Sequence, residues 1–295
     1  MRRFDMFVPE NMADLLEYLD KHQSGVQMIA NGTDLINRIQ RRQVTARVLV
    51  DLSGLNELKY VKRDQGMVRI GALTTISELI ASPIITEGYG AFREVASRFG
   101  GPSIVNMATV GGNICSASSS EDLLPLLLVL EAQVLVRSNK EDRIMPLADF
   151  VKGKRTTAAK PNEVLVETRF AELPPASTCS FEKVGMRNSL IIAFVNCAVY
   201  LKLNLENKRI DEIRIAFNRV AGKTPERAKT TENGLRGQKL NEQLITGACD
   251  TLRHELKLTS DSRASEEYRV EVACSLFKRA LNNCMRKLSG ETIIV

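Results

Sequence analysis

Two short polar turns, each set between an apolar stretch and the start of a helix-like pattern, constrain this chain more than any other feature. The longer reads Thr109-Val110-Gly111-Gly112-Asn113-Ile114-Cys115-Ser116-Ala117-Ser118-Ser119-Ser120-Glu121-Asp122-Leu123-Leu124-Pro125. Adjacent glycines let a backbone reach φ > 0 and come close to another molecule. Successive N–H groups in such a turn can form an anion-binding concavity, and the hydroxyls of Ser116 and Ser118 to Ser120 add adaptable donors and acceptors. A plain loop ending in a helix cap at Ser120 or Asp122 fits the same residues. The shorter turn is Met28-Ile29-Ala30-Asn31-Gly32-Thr33-Asp34-Leu35-Ile36, a strand end, a tight bend and a helix start. Asn31 and Gly32 both tolerate left-handed geometry, and Thr33 adds a hydroxyl. The turns lie about 80 residues apart, and together they can grip one extended ligand with a diphosphate in its middle.

The rest of the chain supplies ordinary globular material. Its 295 residues suggest two domains or one with subdomains, and 44% hydrophobic with 26% charged residues is enough for sizeable cores. No stretch approaches 18 uninterrupted apolar residues, so no membrane span is expected. Met1-Arg2-Arg3-Phe4-Asp5 lacks the apolar run of a signal peptide, and a cytoplasmic location is the expectation. The net charge of +6 is modest, with basic clusters at Arg38 to Arg42 and Lys152 to Arg155. With few aromatics and no nucleic-acid motif, these clusters read as solvated faces, or as a rim that guides an anionic nucleotide or acidic partner. No two of the six cysteines are separated by only two residues and no histidine lies at metal-ligand spacing, which argues against a zinc or iron–sulfur site held by this chain alone. Cys115, inside the glycine turn, is expected to be a small packed residue, with a reactive role as the alternative.

Apolar periodicity predicts strands at Val26 to Ala30 and Val48 to Leu52, with helices at Asn11 to Lys21 and Leu35 to Arg42. Paired strands follow around Gln65-Gly66, then helices at Thr75 to Ile80 and Ala91 to Phe99. Gln133 to Ser138 and Glu163 to Phe170 read as strands. Leu173-Pro174-Pro175-Ala176-Ser177 marks the clearest boundary. Beyond it come strands at Ser180 to Lys183, Asn196 to Leu205 and Ile210 to Phe217, then helices at Arg227 to Leu235, Glu242 to Leu256 and Ser265 to Lys287. Unequal runs of strands and helices predict an α+β architecture.

Several familiar motifs are missing. No Gly-x-Gly-x-x-Gly follows a strand, and Arg93 stands where the third glycine would be after Gly88-Tyr89-Gly90. Ala221-Gly222-Lys223-Thr224 imitates the end of a P-loop, but Phe217 occupies the first glycine position and Pro225 follows. His22 and His254 are far from both turns, and neither suits a general base. Any chemistry therefore falls to a cofactor.

The ordered set of motifs resembles a known family. Ala30-Asn31-Gly32-Thr33-Asp34-Leu35, Thr109-Val110-Gly111-Gly112-Asn113-Ile114, and Ala117-Ser118 with Asp122 and Pro125 resemble the FAD-binding (medium) subunit of molybdenum hydroxylases, the xanthine and carbon monoxide dehydrogenase type. The resemblance continues through Pro161-Asn162-Glu163-Val164-Leu165, Phe181-Glu182-Lys183-Val184, Arg227-Ala228 with Glu232, and Arg263-Ala264-Ser265 with Tyr268-Arg269. It implies a vanillyl-alcohol-oxidase-type FAD-binding fold over residues 1–175, in subdomains of about 1–57 and 58–175. A C-terminal domain of three antiparallel strands and three helices would occupy 176–295.

The resemblance also implies roles. Asn31, Gly32, Thr33, Asp34 and Leu35, after Ile29 and Ala30, would wrap the FAD diphosphate through backbone amides. Ala108, Thr109, Gly111, Gly112, Asn113 and Ser116 would complete the cradle. Asp122 would bond the ribityl or ribose part, while Leu165 and Lys183 match positions near the isoalloxazine ring. Phe99 matches a ring-contacting aromatic, or is a core aromatic of its helix. Asn31 replaces the first glycine of the commoner turn, as a residue suited to φ > 0, and Ser119 stands where proline is usual. With no histidine in either turn, FAD would be held non-covalently. A molybdenum-cofactor large subunit and a small subunit with two 2Fe–2S centres would complete a heterotrimer able to dimerise. Electrons would pass through FAD to NAD⁺ or another acceptor. A stand-alone FAD oxidase or dehydrogenase and an FAD-free scaffold are the alternatives.

Overall fold

The computed structural model describes residues 4–22, 24–185, 193–204, 206–219, 225–258 and 260–290. The P-loop imitation at 221–224 lies outside them.

The first unit contains β1 (Asp5–Phe7), α1 (Met12–Lys21), β2 (Val26–Ile29), α2 (Leu35–Gln40) and β3 (Val48–Asp51). The Asn11 side chain caps α1 by accepting from the Asp14 amide, and Leu15, Leu16 and Leu19 form its buried face. The strands pair in the order β1-β3-β2, all parallel, which requires the helices as crossovers.

The second unit opens with a hairpin of β4 (Val61–Asp64) and β5 (Met67–Gly71). Gln65 and Gly66 both have positive φ, the geometry that suits a two-residue hairpin turn. Six short helices follow: α3 (Ile76–Ala81), α4 (Pro83–Gly88), α5 (Ala91–Phe99), α6 (Pro102–Met107), α7 (Val110–Ser116) and α8 (Leu123–Val129). Then come β6 (Gln133–Arg137), β7 (Asp142–Pro146), α9 (Leu147–Phe150), β8 (Val151–Gly153), β9 (Thr156–Thr157) and β10 (Val164–Ala171). The main sheet runs β4-β5-β10-β6-β7, antiparallel throughout. Periodicity missed α4 and α6, which start at Pro83 and Pro102, residues suited to a first helical turn.

The third unit has β11 (Ser177–Gly185), β12 (Ala193–Leu203), β13 (Ile210–Arg219), β14 (Glu226–Arg227), α10 (Lys229–Leu235), α11 (Glu242–Glu255) and α12 (Glu266–Leu288). Its antiparallel sheet has a fourth, two-residue strand, β14, beyond the three expected. Both faces of this sheet are covered, and its alternation sorts side chains between two cores. Ala198, Tyr200 and Ala216 join the core of α5, α8 and the second sheet. Cys197, Val199, Leu201, Ile213, Ile215 and Phe217 join the core under α11 and α12. The third unit is thus packed against the second.

Candidate functional site

A cleft of about 570 Å³ runs between the turn after β2, the helices α6 and α7, the loop before α8, and the β8–β9 turn. Its first wall is Ile29 to Leu35. Gly32 has φ +75°, and a Cβ there would lie 2.7 Å from Ile36 Cγ1, so any side chain would strain the turn. Among the described residues, none accepts a hydrogen bond from the amides of Asn31, Gly32, Thr33, Asp34 or Leu35. Five successive N–H groups are left for a ligand. Asn31 does not occupy the left-handed position expected of it; Gly32 does. The Asn31 side chain instead crosses the cleft and donates to the carbonyl of Met107 at 2.8 Å.

The opposite wall departs further from the sequence reading. The stretch expected to be a loop is a helix, α7, and neither Gly111 nor Gly112 has positive φ. Small size is what these positions need. A Cβ on Gly111 would meet both Cβ and O of Ala72 at 2.7 Å, and a Cβ on Gly112 would meet Thr109 Oγ1 at 2.7 Å. The amides are already used: Gly111 donates to Ala72 O, Gly112 to Thr109 Oγ1 and Asn113 to Thr109 O. These three amides are therefore not left for a ligand. Asn113 and Ser116 line the cleft, and both donate to the carboxylate of Glu121. Asn113 Oδ1 is buried with no hydrogen-bond partner among the described residues.

Three strands of the third unit fix the loop before α8. Lys183 on β11 sits 2.5 Å from Asp122 Oδ2. Asn196 on β12 donates to Asp122 Oδ1 at 2.9 Å, and Asn218 on β13 donates to the Glu121 carbonyl at 2.7 Å. Asp122 precedes α8 but does not cap it, because its oxygens serve Lys183 and Asn196. Burial pushes its carboxyl up from the usual range, while the Lys183 ammonium pulls the other way. Loss of surrounding water pushes the Glu121 carboxyl up to about 8, against the Ser116 hydrogen bond. The charges of Asp122 and Asp34 add to the rise, and Arg155 opposes it.

Arg155, in the β8–β9 turn at φ +61°, reaches across the mouth. Its guanidinium donates twice to Asp34, at 2.6 and 2.9 Å, and also to Ser116 Oγ at 3.1 Å. Arg38 and Arg41 line the same cleft. Parts of both basic clusters expected as solvated faces therefore face this space, the outcome the rim reading allowed for.

Fourteen of the seventeen expected residues line the cleft: Ile29, Ala30, Asn31, Gly32, Thr33, Asp34, Leu35, Phe99, Ala108, Thr109, Gly112, Asn113, Ser116 and Asp122. Gly111 lies behind it against Ala72, Leu165 is buried in β10, and Lys183 stands behind Asp122. Phe99 lines the cleft and also packs on the second unit's core. Cys115 is exposed on the cleft wall, not packed, because it sits on the outer side of α7. His22 stacks on Tyr18 at the end of α1, and His254 lies in the last turn of α11. Sequence reading missed Glu121, Arg155, Ile104 and Met107; the basic cluster ending at Arg155 was the one available signal.

Residues 2–171 match the family model described as the FAD binding domain in molybdopterin dehydrogenase. The chain belongs to this family. Residues 180–284 match the CO dehydrogenase flavoprotein C-terminal domain. The chain is 28% identical to a xanthine dehydrogenase FAD-binding subunit of Escherichia coli, over 95% of each chain. It is 26% identical to the nicotinate dehydrogenase FAD-subunit of Eubacterium barkeri, over 98% of this chain and 99% of that one. Among solved structures, carbon monoxide dehydrogenase from Hydrogenophaga pseudoflava superimposes with a TM-score of 0.91 at 27% identity, covering 96% of this chain and 98% of that one. The protein is therefore an oxidoreductase component, an FAD-binding subunit of the molybdenum hydroxylase type. Among its described residues, no helix is long and apolar enough to cross a membrane.

The residues present fit a flavin nucleotide. Five unspent amides, a left-handed glycine where a side chain would be strained, and a buried amide oxygen at Asn113 without a partner among the described residues all border the cleft.

Proposed function

We propose that this chain holds FAD non-covalently in the cleft and passes electrons from 2Fe–2S centres of a small partner subunit to NAD⁺ or another soluble acceptor. A large partner subunit carrying the molybdenum cofactor would oxidise the substrate, in a cytoplasmic heterotrimer. The observation that carries the reading is the run of five amides, Asn31 to Leu35, around Gly32 at φ +75°, without an acceptor among the described residues.

Bound FAD supplies the exchange between single-electron and hydride chemistry. The chain's own residues bind and orient. The Asn31 to Leu35 amides would face the diphosphate, and Arg38, Arg41 and Arg155 would offset its charge. Asn113 and Ser116 supply side-chain groups on the facing wall. Phe99, Ile104 and Met107 offer apolar surface suited to the ring. Lys183 would act through Asp122, holding that carboxylate in place beside the cofactor. Residues 1–175 would carry the nucleotide, and 176–295 would brace it through Lys183, Asn196 and Asn218.

The test is the visible spectrum of the purified chain before and after heat denaturation. Flavin absorbance released as FAD supports the reading. A colourless chain that does not take up added FAD overturns it. Anaerobic mixing of the FAD-loaded chain with NADH then checks the acceptor, since bleaching is expected only if NAD⁺ can be the partner.

A further inference from the structure

Glu121 stands out because its carboxylate occupies donors that the cleft otherwise offers to a ligand. Its side chain takes Asn113 Nδ2 and Ser116 Oγ, the two side-chain donors of α7 on the cleft wall. Its backbone cannot easily withdraw, since Asn218 holds the Glu121 carbonyl and Asn196 and Lys183 hold the neighbouring Asp122.

We propose that Glu121 is an internal competitor for the cofactor's anionic portion: its carboxylate holds the Asn113 and Ser116 donors and must be displaced or neutralised before a diphosphate settles in the cleft. This rests on the FAD reading above. The charged and titratable groups that face Glu121 are Asp122 on its own loop, Asp34 from the turn after β2, and Arg155 from the β8–β9 turn. Cys115 lies beside Ser116 on α7 and lines the same cleft. Arg155 is already shared with Asp34, so it does not fully compensate a second carboxylate. A charged Glu121 repels a diphosphate, whereas a protonated one can donate a hydrogen bond to it. Its carboxyl, raised to about 8, makes that change within an accessible range.

The experiment is FAD titration of the full-length chain stripped of flavin, followed by flavin fluorescence quenching from about pH 6.5 to about pH 9. Wild type, Glu121→Gln and Glu121→Ala are compared, with ADP as a probe of the diphosphate half alone. The expected result is a wild-type Kd that rises toward about tenfold per pH unit once Glu121 is ionised, and a flat profile in both variants. At the highest pH both variants should bind FAD and ADP more tightly than wild type. Identical pH profiles in all three proteins overturn the proposal. So does weaker binding by Glu121→Ala at every pH, which would make Glu121 a direct ligand and not a competitor. If no protein binds FAD at any pH, the FAD reading itself fails and this proposal with it.

Discussion

Lys183 Nζ lies 2.5 Å from Asp122 Oδ2, with only 1% and 5% of the two side chains exposed. The pair joins β11 of the third unit to the loop that opens α8 in the second. Lys183 also donates to the Arg98 carbonyl at the end of α5. A buried carboxylate that loses its cation is left uncompensated, at a cost of about 3–5 kcal/mol. Lys183→Met should therefore lower the free energy of unfolding by about that amount. Adding Asp122→Asn should restore much of the loss, because it removes the stranded charge. Urea unfolding of the three proteins checks this; a single-variant loss below about 1 kcal/mol would show that the pair is merely incidental.

Gly32→Ala tests the first wall. A left-handed alanine costs about 1–2 kcal/mol, and its Cβ would press on Ile36 at 2.7 Å. The turn that aims the five amides has to shift. FAD affinity should fall at least about tenfold, with a stability loss of about 1–2 kcal/mol. Calorimetric FAD titration and thermal unfolding read the two effects separately.

Arg155 should behave differently. Its pair with Asp34 is about one-third exposed on each side, so its contribution to stability is small, below about 1 kcal/mol. Its contribution to an anionic ligand is larger, as charge-assisted contacts are the stronger ones. Arg155→Met should leave the melting temperature nearly unchanged while weakening FAD binding about fivefold or more. Raising ionic strength should narrow the gap between wild type and variant. Titrations at low and high salt measure this.

The Glu121 carboxyl sets a pH dependence of stability. Its value is raised from 4.5 to about 8 in the folded chain. A raised carboxyl stabilises fully below its unfolded value, and that contribution is lost as pH rises through the folded one. The melting temperature of the flavin-free chain should therefore decline between about pH 4.5 and about pH 8, and Glu121→Gln should flatten part of the decline. Melting curves that shift in parallel for both proteins would assign the decline to other groups.

Much of the cleft was legible because short-range chemistry announces it. Gly32 between an apolar strand end and a helix start could do little else than turn there, and the five amides follow from that turn. The helices with strong apolar periodicity were equally legible, α1 with Leu15, Leu16 and Leu19 among them. The family motifs further along the chain are explained only in three dimensions. Glu163 pairs with Arg143, Glu182 with Arg98, Arg227 with Glu232, and Arg269 with Asp261. None of those five motif acids and bases lines the cleft; they fasten elements together.

What the sequence determined by itself was much of the local conformation and the resemblance it carries: where the chain bends after Ile29, which faces are apolar, and that two polar turns could grip one extended ligand. The tertiary structure decided the rest. It showed that Gly111 and Gly112 are small because α7 packs against Ala72 and is capped by its own Thr109 hydroxyl, and not because a loop needs φ > 0. It brought Arg155 to Asp34 across 121 residues and Lys183 to Asp122 across 61. It also turned Glu121 into the cleft through Asn218, a residue 97 positions away. Propensity and spacing act over a few residues, whereas these contacts depend on how separate sheets pack, so no local pattern encodes them.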